Sequence, residues 1–322
     1  MFEGLIGGFY ECLQPLNLIL LFLGTFLGLL VGALPGLSSP MAIIILLPVT
    51  YSLDPLPALL VMIGVYVGTK LGGSFAAILL RTPGTPASAC TALDGFPMAE
   101  KGEAGLALGY ATYGSFVGGL SSWIIAVTFI PVISAIALKS SNADIALIGI
   151  MGLVMVSAFT RGSMLKGFIG VCVGILIGCM GMDRVDTIER FTFGSLDLLT
   201  GVPFAAALVG LFGFAVVISD LALMKSKAEI VATKFRIKLP TFKQFFSRWK
   251  AWGTGSFMGA IVGAVPGVGA DGATWLAYGT VKNNSKNPEE FGIGNPDGVI
   301  APETANNGTT GGAMVPMLTL GI

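Results

Sequence analysis

From Cys12 to Leu53 the chain runs 42 positions without a charged residue. A helical crossing of a bilayer core takes about 20 apolar residues, so this stretch holds one crossing and a second element. Leu16–Leu34 fits the first helix. Pro35–Thr50, broken at Pro35-Gly36 and bounded by Pro48, reads as a re-entrant hairpin or half-helix. Six further apolar segments follow, at Leu56–Leu80, Leu106–Ile130, Ile145–Phe159, Gly167–Met182, Gly201–Leu223 and Ala251–Val265. The apolar run Pro131–Leu138 is expected at the membrane interface.

The whole composition agrees. Apolar residues make up 54% of the chain and charged residues 11%, against about 25% charged in ordinary soluble domains. Glycine, at 46 residues of 322, is enriched as it is where transmembrane helices pack closely. These features predict an all-α polytopic membrane protein.

Several functions are excluded early. With no histidine, there is no His base, proton relay or metal ligand. The formal net charge is zero, so nothing points to nucleic acid. Cys12, Cys90, Cys172 and Cys179 form no CxxC pair and read as small packing residues. The N-terminus carries Glu3 and Glu11 but no basic n-region of a cleaved signal peptide. No HExxH, GxSxG or nucleophilic cysteine setting favours an enzyme.

Orientation follows from Lys225–Lys250, which holds eight basic residues against one acid, Glu229. The positive-inside rule makes this segment cytoplasmic. Counting back, Thr160–Lys166 falls inside and the acidic Asp183–Asp197 outside.

An internal repeat is visible. Gly28–Leu37 (GLLVGALPGL) matches Gly259–Val268 (GAIVGAVPGV) at six of ten positions with an offset of 231. Gly72-Gly73-Ser74 is echoed by Gly311-Gly312-Ala313 at an offset of 239, with the polar insert Lys282–Glu290 accounting for the difference. Counting crossings makes the repeats parallel; one misread span makes them inverted. The chain therefore divides into a first transmembrane repeat (1–224), a basic connector (225–250) and the start of a second repeat (251–322). On this repeat length the second copy is incomplete, and the chain is read as C-terminally truncated.

Four segments put Pro, Gly and small polar residues at membrane depth, where broken backbone survives only in contact with protein or water. The first, Gly32–Pro40, supplies Ser38 and Ser39 as helix caps. Arg81–Ser88 supplies Thr82, Gly84 and Thr85 in a tight loop. The third, Gly263–Gly272, supplies Gly267 and Asp271. Ala301–Thr310 supplies Asn306, Asn307, Thr309 and Thr310. Paired interruptions in corresponding halves mark transporter substrate or ion sites: carbonyls and amides suit Na⁺, and half-helix N–H groups suit a carboxylate. Lys70 stands within an apolar span as a counter-charge for an anion or as a snorkelling lysine. Asp271 is read as a cation ligand or a helix cap, and Glu303, after Pro302, as a first-turn residue favourable to the helix dipole.

GALPGL at Gly32–Leu37, LRTPGTPASACTALDGFP at Leu80–Pro97, GAVPGVG at Gly263–Gly269 and APETANNGTTGGAMVPMLTL at Ala301–Leu320 closely resemble the large membrane subunit of the tripartite tricarboxylate transporters, TctA. The resemblance covers essentially the whole chain. It implies a two-repeat secondary carrier of the bacterial inner membrane with Pro-Gly-broken helices or re-entrant hairpins. It further implies a small membrane subunit and a periplasmic solute-binding protein as partners. Citrate or another carboxylate is the implied substrate. The coupling ion is Na⁺ or H⁺, with Na⁺ the commoner choice, and no other cofactor is implied. By motif, Ser38, Ser39, Thr82, Thr85, Asp271, Asn306 and Asn307 are the implied site candidates. Lys70 departs from the neutral residue expected there.

Overall fold

The computed structural model describes residues 2–34, 37–137, 163–183, 187–203, 239–265 and 269–320, with single positions between 141 and 218. Among these residues the regular structure is helical, α-helices with short 3-10 turns at Leu196–Thr200 and Pro288–Glu290, apart from a two-stranded hairpin, β1 (Gly181–Met182) and β2 (Glu189–Arg190). The helices are α1 (Phe2–Cys12), α2 (Pro15–Ala33), α3 (Ser39–Thr50), α4 (Pro55–Leu80), α5 (Ser88–Glu100), α6 (Ala104–Ala137), α7 (Met164–Gly178), α8 (Phe242–Phe246), α9 (Trp249–Gly263), α10 (Gly269–Asn283) and α11 (Asp297–Leu320). Three of them are long and apolar enough to cross a membrane: Pro15–Ala33, Pro55–Leu80 and Ala104–Val132. This is an all-α polytopic membrane protein.

The helices are inside-out by the standards of soluble proteins. On α2 the buried residues are Asn17, Gly24, Gly28 and Gly32, whereas Phe22, Leu23, Phe26 and Leu30 face outward. Lipid is as apolar as leucine, so large side chains gain nothing by turning inward, and small residues let backbones touch. A Cβ on Gly24, Gly28 or Gly32 would collide with the backbone of Val61, Val65 or Thr69 on α4. Rising together, these contacts make α2 and α4 parallel. In the second half, Gly255, Gly259 and Gly263 of α9 meet Ala301, Ala305 and Thr309 of α11 in the same order. The two pairs are copies of one frame.

That frame corrects the repeat register. Gly72 faces Leu29 and Ala33, while Gly312 faces Ala260 and Ala264. Because Leu29 and Ala33 correspond to Ala260 and Ala264 at the offset of 231, Gly72 corresponds to Gly312 and not to Gly311. The offset on this helix is 240, so the insert between the helices is one residue longer than the sequence match suggested.

The halves are inverted. Lys70 of α4 reaches Asn306 of α11, and Ser74, one turn further along α4, reaches Glu303, one turn back along α11. α4 and α11 are therefore antiparallel, and each carries its parallel partner with it.

Between α2 and α4, the 12-residue α3 is about 18 Å long at 1.5 Å per residue, well short of a bilayer core of about 30 Å. It is a half-helix, as the Pro-Gly break implied. After α4, Arg81 adopts a left-handed conformation (φ 55°) and the chain doubles back. Gly84 N–H donates to the Gly73 carbonyl at 3.3 Å, so the loop lies at the depth of Gly73, shielded by protein. Gly84 touches the backbones of Gly32 and Gly73, and a Cβ there would overlap the Gly32 carbonyl.

Pro131 lies inside α6, which continues to Ala137, beyond the membrane-length stretch Ala104–Val132. One expectation fails. Ala301–Thr310 is not a break; it is wholly helical within α11. The expected spans Ile145–Phe159 and Gly201–Leu223, most of the basic connector, and Pro35, Gly36, Pro266 and Gly267 lie wholly or largely outside the described residues.

Candidate functional site

The antiparallel crossing of α4 and α11 carries a buried cation. Lys70 is only 2% exposed. Its Nζ donates to the Asn306 carbonyl at 2.7 Å, to Thr309 Oγ1 at 3.0 Å and to Thr310 Oγ1 at 3.0 Å. An ammonium has three N–H groups, and all three are spent on the opposite half. Nζ also stands 4.1 Å from the centroid of the Tyr66 ring, a cation–π contact. Lys70 does not snorkel; it is held inside by neutral dipoles.

Beside it lies a cavity of about 380 Å³. Ser38, Ser39 and Pro40 line it from the start of α3, and Gly269, Ala270 and Asp271 from the start of α10. Thr85, Pro86 and Ala87 line it from the start of α5, and Tyr66, Lys70 and Asn306 close it. Three helix N-termini thus converge on one space, each bringing the positive end of a helix dipole. Ser38 occupies the N-cap position of α3, yet its side chain makes no capping bond. Asn306 is fully buried, and neither Nδ2 nor Oδ1 has a hydrogen-bond partner. A buried amide in that condition costs about 1–3 kcal/mol per group, and the residue that carries it lies against the cavity. Asp271 adds one carboxylate, so the cavity offers positive and negative character together.

The lining obeys the repeat. Ser38, Ser39 and Pro40 correspond to Gly269, Ala270 and Asp271 at the offset of 231, and Tyr66 corresponds to Asn306 at 240. Equivalent backbone from both halves therefore builds the walls, with different side chains on it.

Of the residues singled out by sequence, Ser38, Ser39, Lys70, Thr85, Asp271 and Asn306 meet at this cavity. Thr82 does not line it; its hydroxyl donates to the Leu80 carbonyl at 3.1 Å in a part-exposed loop. Gly84 acts behind the wall as a spacer. Asn307 is buried elsewhere on α11, its Nδ2 donating to the Glu303 carbonyl at 3.3 Å. Gly267 is outside the described residues. Sequence reasoning missed Tyr66, for which the helical spacing to Lys70 was the available signal.

Glu303 is not a first-turn residue. α11 begins at Asp297, which puts Glu303 in its second turn, fully buried. Its carboxylate accepts from Ser74 of α4 at 2.6 Å, from Thr91 of α5 and from Ser115 of α6 at 3.3 Å. A second buried carboxylate, Asp94 of α5, accepts from the backbone N–H groups of Gly292, Gly294 and Asn295 at 2.7–2.9 Å and from the Tyr278 hydroxyl at 2.9 Å. It ties the first half to the loop before α11.

Against this geometry, residues 18–322 match the tripartite tricarboxylate transporter TctA family. The chain belongs to that family. It is 38% identical over 316 residues to an uncharacterized 52.8 kDa protein in the TAR-I ttuC' 3' region of Agrobacterium vitis, covering 98% of this chain and 62% of that protein. It is 47% identical over 64 residues to an uncharacterized protein in the TAR-II ttuC' 3' region of the same organism, covering 20% of this chain and 26% of the relative. The chain therefore spans less than two thirds of the length of these relatives. No solved structure matches it. For this TctA chain the resemblance seen in the four motifs holds across nearly the whole sequence.

Proposed function

We propose that this chain is part of the large membrane-spanning subunit of a binding-protein-dependent secondary transporter. It would take up a citrate-like tricarboxylate or a related carboxylate down a cation gradient, Na⁺ or H⁺. The observation that carries the reading is the cavity between α3, α5, α10 and the α4–α11 crossing. Three helix N-termini, the Lys70 ammonium and the unpartnered Asn306 amide suit a carboxylate, and Asp271 suits an accompanying cation. Its position between two inverted halves suits alternating access, in which one half rocks against the other around a fixed site. The chain acts as a carrier, with no chemical step on its substrate.

Family membership supports two partners, a small membrane subunit and a periplasmic solute-binding protein that delivers the acid. The reading places the complex in the bacterial inner membrane with the basic connector 225–250 on the cytoplasmic side. The test is uptake of labelled citrate and of related di- and tricarboxylates by the complete operon product, with and without the binding protein, in Na⁺ and in K⁺ buffer. Saturable uptake that requires the binding protein is the expected result. Uptake of every carboxylate tested that is indifferent to the binding protein would overturn the tripartite reading.

A further inference from the structure

Lys70 and Glu303 are both fully enclosed, yet they do not form an ion pair: among the described residues the ion pairs are Arg190–Asp183 and Arg248–Asp297. Lys70 spends its protons on neutral acceptors of α11 beside the cavity. Glu303, one turn behind on both helices, is held by hydroxyls alone. An ion pair would fix a carboxylate in its ionised form. A hydroxyl cage does not, because each hydroxyl both donates and accepts.

Ser74 shows how the cage serves both states. Its Oγ lies 2.6 Å from Glu303 Oε1 and 3.1 Å from the Lys70 carbonyl, but it has one proton to give. When Glu303 is ionised, Ser74 donates to it. When Glu303 is protonated, Glu303 donates to Ser74 Oγ, and the Ser74 proton turns to the Lys70 carbonyl. Neither Ser74 nor Glu303 is stranded in either state. The 2.6 Å spacing is that of a hydrogen bond and leaves no room for a metal ion between the two oxygens.

We infer that Glu303 carries the coupling proton of this transporter. The inference rests on the carboxylate-carrier reading above. The proton adds to a lone pair of the Glu303 carboxylate, forming one O–H bond and breaking none, and leaves by the reverse step on the other side of the membrane. Coupling follows from the shared cation. Without substrate, Lys70 is the positive charge nearest Glu303 and offsets its negative charge. A carboxylate in the cavity takes up that offset, and Glu303 then gains by accepting a proton. By linkage the effect is mutual: the proton strengthens anion binding by the factor by which the anion strengthens proton binding.

The groups around Glu303 match this role. α4 presents Lys70 and Ser74, and α5 presents Thr91 and Cys90, whose thiol donates to the Thr274 carbonyl of α10. Ser115 comes from α6, and α9 packs on this part of α11 through Gly255 and Gly259. Among the described residues, Lys70 is the charged side chain whose field reaches Glu303.

The experiment uses the full-length transporter with its partner subunits in proteoliposomes, with labelled citrate as probe. At zero membrane potential, one proton per substrate makes each imposed pH unit worth about tenfold in accumulation. Wild type should show that accumulation and acidify the lumen as citrate enters. Glu303→Gln, which mimics the protonated form, should lose both while still exchanging internal for external citrate. Infrared difference spectra of the purified protein should show a protonated-carboxyl C=O band that titrates in wild type and is missing in Glu303→Gln. Two results overturn the inference: citrate accumulation that follows a Na⁺ gradient and ignores pH, or a Glu303→Gln protein that still accumulates citrate tenfold per pH unit. Absence of all citrate and other carboxylate exchange in wild type overturns instead the carrier reading on which it rests.

Discussion

The α2–α4 pair and the α9–α11 pair have the same skeleton and different chemistry. Each presses a glycine row of one helix on the backbone of its parallel partner, at equivalent heights. On that frame the first half puts Tyr66, Lys70 and Ser39 where the second puts Asn306, Thr310 and Ala270. The first half holds the cation at the cavity, and the second holds the acceptors that satisfy it and the carboxylate of Asp271. The backbone is symmetric and the side chains on it differ, so the two walls of the cavity offer different chemistry.

The largest expected effect tests the shared skeleton. Gly28→Leu and Gly259→Leu should each wedge a glycine row off its partner and lower stability by about 3 kcal/mol or more, read as thermal unfolding in detergent. Nearly equal losses are expected; a variant without effect would mean that the two frames are not equivalent. The chemical asymmetry comes next. Lys70→Met should lower initial uptake at least about thirtyfold, since it strands buried acceptors that cost about 1–3 kcal/mol each. Its counterpart, Thr310→Val, removes one of three acceptors and should cost about fivefold, near 1 kcal/mol. Equal losses at the two positions would break the comparison. The smallest contrast lies within one loop. Thr85→Ala, on the cavity wall, should lower apparent citrate affinity about fivefold, while Thr82→Ala, off the wall, should stay within about 0.5 kcal/mol of wild type in stability and leave affinity unchanged.

Local signals were the legible ones. Leu16–Leu34 and Leu56–Leu80 differ from α2 and α4 by a residue at most at each end, because the hydrocarbon thickness fixes how long an apolar run must be. The half-helix α3 was legible in Pro35-Gly36 and Pro48, since proline and glycine act on their own neighbours. Orientation of the halves was not, because it depends on how many segments cross, and Ala301–Thr310, rich in the same residues as a break, is continuous helix. The surroundings of Glu303 were hidden for the same reason. Its partners Ser115, Thr91 and Ser74 lie 188, 212 and 229 positions away, and the only local cue was Pro302. The doublets Gly72-Gly73 and Gly311-Gly312 blurred the register by one, and only the opposing backbone resolves it.

The acceptors of Lys70 have a consequence for biosynthesis. The nearest in sequence, the Asn306 carbonyl, is 236 residues downstream. A ribosome therefore finishes α4 long before anything can satisfy the ammonium at its middle, and a lysine at a helix centre disfavours insertion by about 2.5–3.5 kcal/mol. The first half must wait, shielded by the insertion machinery or tilted toward water, until α11 arrives. A chain interrupted before Asn306 would carry that lysine without the acceptors of α11.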